Sequence, residues 1–183
     1  YPENTLDQDT AQAVTEYTLE RFRSWYEDQD IPVEVLRAVL ATGITAPAQV
    51  DRRVTALNAF AGTEAAVALA AANKRVANIL NKSDQTLSDV PNPELFHQPE
   101  ESQLYQSLQT LKPVVADNIL KDDYAAALSN LASLQGPVDA FFEGVMVNAD
   151  DPATRTNRHE LLAALRSAFT GIADFALLGG ASK

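Results

Sequence analysis

Apolar residues recur at three- and four-residue spacing along almost the whole chain, and no run alternates apolar with polar residues. Such a pattern buries stripes on helices, not faces of sheets, so the expected fold is all-α, a multi-helix bundle. Val14, Tyr17, Phe22 and Trp25 fall within one arc and predict a first helix over residues 10–29. Pro32, a favoured first-turn residue, opens a second that stops near Gly43, and the two read as a helical hairpin. Pro47 opens a third helix, and Thr63 with Glu64 opens a long alanine-rich fourth.

Residues 83–99 hold three prolines and the acidic Asp84, Asp89 and Glu94 without a lysine or arginine. They read as a connection with a short turn, dividing the chain into an N-terminal helical layer, residues 1–90, and a C-terminal one, residues 91–183. Further helices are expected over 100–121 with a kink or break at Pro113, over 122–134 and over 137–147. The last starts at Asp151, a capping aspartate followed by proline, and Leu161, Leu162, Leu165, Phe169, Ile172 and Phe175 give it a wide apolar face. Phe141, Phe142, Leu162, Leu165 and Phe169 are expected in the core.

Charge narrows the function. Asp and Glu outnumber Lys and Arg by 25 to 14, a net charge of -11, which disfavours a protein that coats nucleic acid, DNA included, or an anionic membrane with its whole surface; an anionic partner must meet a local patch. No apolar run reaches the ~18 residues of a membrane span. With no cysteine there is no disulfide or thiolate chemistry, a composition compatible with a reducing cytoplasm. Tyr1 opens the chain and Met146 is its single methionine, so a piece of a longer protein is expected; "YPENTLDQDT" is acidic and lacks the apolar core of a signal peptide.

Against that acidic background the basic residues are segregated. Between residues 51 and 82 stand Arg52, Arg53, Lys74, Arg75 and Lys82 against Asp51 and Glu64, a local sum of +3. On a helix, Lys74, Asn78 and Lys82 line one face with Arg75 beside it, while Val76, Ile79 and Leu80 turn toward a core. A second cluster lies in "ATRTNRHELLAALR", where Arg155, His159 and Arg166 approach one side, Arg158 flanks them and Asn157 points away. These groups suit phosphate tracking, with arginine and lysine supplying charge and asparagine amides supplying hydrogen bonds. On the residues alone solvated helix faces are the favoured reading, with Arg155 and Arg158 paired to Asp150, Asp151 or Glu143.

No constellation for catalysis stands out. Asp150 and Asp151 read as a helix cap, and His97 and His159 have no second histidine or cysteine at ligand spacing, so no metal and no catalytic residue is assigned. There is no glycine-rich phosphate loop, dinucleotide fingerprint or local serine triad.

The segment "GPVDAFFEGVMVNADDPATRTNRHELLAALRSAFTGIADFALL" closely resembles the end of the bacterial-type glycyl-tRNA synthetase beta subunit, with its PVD-FF-VMV run, acidic turn, R-x-N-R motif and final helix. "FRSWYEDQDIPVEVLRAVLA", "DRRVTALNAF" and "ALAAANKRVANILNK" resemble the same family in the same order, over roughly residues 17–178. Glu143 stands where aspartate is common, and His159 where an aliphatic residue is usual.

The resemblance implies a helical anticodon-binding domain of the DALR type, a C-terminal region of a larger subunit and not catalytic by itself. The parent would be a class II glycine-tRNA ligase in the cytoplasm, whose alpha subunits use ATP and Mg in an alpha2beta2 tetramer. The implied partners are the anticodon arm of glycine tRNA, the rest of the beta subunit and the alpha subunit. On this reading Arg52, Arg53, Lys74, Arg75, Asn78 and Lys82 face the arm, and the cluster of Arg155, Asn157, Arg158 and Arg166 extends that surface. The alternative is a non-catalytic docking or structural module whose apolar helices meet the rest of the parent protein.

Overall fold

The computed structural model describes residue 17, residues 21–83 and residues 87–178. Every regular element among them is helical, as the periodicity predicts: α1 Val33–Leu40, α2 Pro47–Ala61, α3 Glu64–Leu80, α4 Pro99–Leu120, α5 Tyr124–Ala132, α6 Gln135–Gly144 and α7 Pro152–Thr170. Two 3-10 turns, Pro93–Leu95 and Phe175–Leu177, and a helical stretch over residues 21–27 complete the set.

Helix boundaries fall where capping chemistry places them. The Thr63 hydroxyl accepts from the Ala66 amide at 3.1 Å and starts α3. Asp151 accepts from both the amide and the hydroxyl of Thr154, at 2.8 and 2.7 Å, and starts α7 with Pro152 in its first turn. These hydrogen bonds hold the Asp151 carboxyl below the usual carboxylate range. Beyond α1, Gly43 takes φ of 80°, a left-handed conformation in which a Cβ is strained.

Three expectations need correction. Pro113 does not break its helix: α4 runs through it unbroken. Pro113 and Gln109 are both exposed, so the carbonyl deprived of its amide partner is within reach of water. The expected helix over 137–147 instead begins at Gln135 and ends at Gly144, because Pro137 fits a first turn and Val145 is extended at φ -114°, ψ 122°. In the first hairpin the expected start and Val14 lie outside the described residues. Within residues 21–27 the core residue is Tyr26, 2% exposed, while Trp25 is 49% exposed. Burial selects Tyr26 because its hydroxyl donates to Asp51 at 2.9 Å, and burial together with that carboxylate pushes the phenol well up.

One hydrophobic core joins residues on both sides of the proline-rich connection, from Val39, Leu57 and Val76 to Leu104, Leu128 and Leu161. α3 packs on α7, on α6 and on the final 3-10 turn, and α4 packs on α5, α6 and α7. The apolar face of α7 is buried as expected at Leu161, Leu162, Leu165 and Phe169. Ile172 and Phe175 continue it beyond the helix end, with the Phe169 and Phe175 rings 4.5 Å apart. Phe141 is buried, whereas Phe142 is only half-buried at the edge of the core.

Candidate nucleic-acid interface

Where α3 crosses α7 their surfaces leave a groove of about 710 Å³. α3 contributes Lys74, Arg75 and Asn78, and Lys82 follows just past its end. The first turns of α7 contribute Arg155, Thr156 and His159, and the loop before α7 contributes Asn148. Four lining residues are cations and none is acidic. Segregated basic residues far apart in sequence thus reach one surface because the helices that carry them share a core.

Its electrostatics favour an anion. Lys74, Arg75, Asn78 and Lys82 are exposed, and Lys74, Arg75 and Lys82 form no ion pair among the described residues. The Arg75 guanidinium lies over the Phe142 ring, 4.2 Å from its centroid, which holds the cation in place without neutralising it. Arg155 donates from Nη1 to the Ala149 carbonyl at 2.9 Å, which orients the rest of its guanidinium. His159 donates from Nε2 to Asn148 Oδ1 at 3.1 Å, since that oxygen only accepts. Burial, and then the Arg155 charge, push the His159 pKa down, so the imidazole is neutral at neutral pH.

The other five sequence candidates are engaged elsewhere in the fold. Arg52 pairs with Asp122 on the side where α2 meets α5. Arg53 is buried 4.3 Å from the centroid of the Tyr124 ring and donates to the Gly171 carbonyl at 3.5 Å. Asn157 clasps the backbone of Asn92, accepting from its amide at 2.7 Å and donating to its carbonyl at 3.0 Å. Arg158 is buried and donates to Glu101 at 2.9 and 3.2 Å and to the Met146 carbonyl at 2.9 Å. Arg166 donates to Asp174 at 3.2 Å. None of these five lines the groove. Asn157 and Arg158 face inward because α7 turns that side toward α4 and the 3-10 turn, where buried polar groups must find partners.

Asn148 and Thr156 carry no sequence signal for this role: the loop that returns Asn148 to His159 has no periodicity to read, and Thr156 on α7 bears no charge. His159 carried a faint one, through its spacing from Arg155.

Comparison with known proteins places these features in a family. Residues 69–179 match the family model of the DALR anticodon binding domain. The chain is 47% identical over 165 residues to a glycine-tRNA ligase beta subunit from Actinobacillus pleuropneumoniae, covering 90% of this chain and 24% of that protein. It is 46% identical over 167 residues to the beta subunit from Hahella chejuensis, covering 91% of this chain and 24% of the relative. With the Acinetobacter baumannii beta subunit it shares 46% identity over 181 residues, covering 98% of this chain and 26% of the relative. The chain thus spans about a quarter of the length of these relatives.

Proposed function

Since the chain belongs to the DALR anticodon-binding domain family, we propose that it recognises the anticodon arm of glycine tRNA as part of a glycine-tRNA ligase beta subunit, and that the groove between α3 and α7 takes the phosphate backbone. The observation that carries this reading is the meeting of Arg155 with Lys74, Arg75 and Lys82 in one groove lined by no carboxylate, within a chain of net charge -11. An acidic remainder repels RNA docked elsewhere, so the local basic surface sets orientation as well as attraction. Phosphate contacts position the arm, and contacts to unpaired bases select it.

The domain then acts by binding. Glycine activation, with its ATP and magnesium, falls to an alpha subunit of an alpha2beta2 assembly in the cytoplasm, and the chain's role is to present the correct tRNA to it. No single helix among the described residues is long and apolar enough to cross a membrane.

The test replaces Lys74, Arg75 and Lys82 together with glutamine and measures binding to a glycine-tRNA anticodon stem-loop across a salt series. Each lost phosphate contact removes about 0.7 from the slope of log affinity against log salt on single-stranded RNA, so the triple variant flattens it by about 2. Discrimination against an altered anticodon changes less than affinity. Unchanged affinity and slope would return these cations to solvated helix faces and favour the docking-module alternative.

A further inference from the structure

The groove does not end at Lys74. Residues 67, 70, 71 and 74 follow the i, i+3, i+4, i+7 spacing of one helical stripe, so the α3 face that carries the cations continues toward the helix N-terminus as Val67, Ala70 and Ala71. A second hollow of about 320 Å³ opens there, between α3 and the first turns of α1, where Val35 and Glu34 line it. Ala71 and Lys74 line both hollows, so the apolar one and the cationic one are continuous. Val67 is 64% exposed on its rim, an apolar side chain left in water, whereas Leu69 two residues on is buried.

Resting on the phosphate reading of the groove, we infer that this apolar shelf is a nucleobase subsite: it seats one unpaired base bearing an exocyclic amino group, while Lys74 meets the phosphate beside it. Alanines at 70 and 71 keep the surface low, so a planar ring can lie against the helix with Val67 along its edge. At the far side Glu34 suits the N-terminal turn of α1, and its carboxylate forms no hydrogen bond or ion pair with any other described residue. A carboxylate there accepts from the amino group of a base but repels an edge that presents only carbonyl oxygens. Hydrophobic side chains supply contact, the carboxylate supplies choice, and the shared lysine sets the register between base and backbone.

The experiment uses the whole polypeptide that contains this chain and a glycine-tRNA anticodon stem-loop in which each unpaired loop base is removed singly to leave an abasic site. With the unaltered protein, one position should cost about tenfold in affinity, the scale of a stacked base. Val67→Asp places a second anion on the shelf without touching the core. It should weaken binding to the intact loop and reduce the penalty at that one abasic position to within about twofold. Val67→Ser, milder for folding, should move the penalty in the same direction, and Glu34→Gln should narrow the preference for an amino-bearing base over uracil at that position.

If both Val67 variants keep the abasic profile of the unaltered protein, or if no loop base matters, the subsite is refuted. The shelf is then a packing surface for another part of the longer polypeptide. A preserved salt slope in that case leaves the phosphate groove standing, whereas absence of any RNA binding overturns the groove and the subsite together.

Discussion

Replacing Arg158 with methionine keeps most of the side-chain volume and removes the cation that neutralises Glu101. The Glu101 side chain is fully buried. Its Oε2 also accepts from the His97 and Gln98 amides, at 2.9 and 2.8 Å, so this carboxylate closes the N-terminus of α4 as well as the ion pair. Burial by itself would raise its pKa, but the Arg158 hydrogen bonds, the two amides and the Arg158 charge together hold it below the usual range. Removing one partner of a buried pair leaves an uncompensated charge, at a cost of about 3–5 kcal/mol.

Urea unfolding of the 183-residue chain at neutral pH measures this directly, and its pH dependence gives a second readout. A carboxyl with a depressed folded pKa contributes stability that is present above the unfolded value, about 4.3, and is lost as pH falls through the lower folded value. Without Arg158 two of the causes that lower the Glu101 pKa are gone while burial, which raises it, remains, so the folded pKa rises and the variant loses less stability in acid than the unaltered chain. A loss under about 1 kcal/mol, or an unchanged acid profile, would refute the assignment of Arg158 and Glu101 as a buried structural pair.

Two further outcomes separate core and clasp from groove. Phe141→Ala should destabilise the chain by about 3–5 kcal/mol in the same assay, whereas Phe142→Ala, at the half-buried edge, should cost less. Asn157→Ala strips the Asn92 amide and carbonyl of their partners and should cost about 1–3 kcal/mol in urea unfolding, with the salt slope of RNA binding unchanged because Asn157 does not line the groove.

Local chemistry was legible where one segment suffices to determine it. The Thr63 and Asp151 caps and the apolar face of α7 depend on neighbours within a few turns, and they stand where spacing puts them. Of the kink or break expected at Pro113 the break does not occur, because a mid-helix proline need not end a helix where water reaches the freed carbonyl. Arg158 was misplaced for a related reason. Its partner Glu101 lies 57 residues away, and spacing on α7 does not say which polar side turns inward. The meeting of Lys74 and Arg155 was legible only as a question, since it requires the crossing of α3 with α7.

The same few residues of α7 both hold the fold together and build the groove wall, and their order along the helix explains how. Asn157 and Arg158 point inward and tie α7 to the connection and to α4, while Arg155 and His159 lie along the rim. Arg158 reaches the Met146 carbonyl and Arg155 reaches the Ala149 carbonyl, so the loop that carries Asn148 is held on both sides. Asn148 in turn fixes the His159 ring. A guanidinium has five N–H donors, and one bond to Ala149 leaves Arg155 with others for a ligand. The loop carbonyl therefore aims the charge without quenching it. Pairing Arg155 to a nearby carboxylate such as Asp150 would have cancelled it, and a wall held by backbone carbonyls is the arrangement that keeps the groove cationic in an acidic protein.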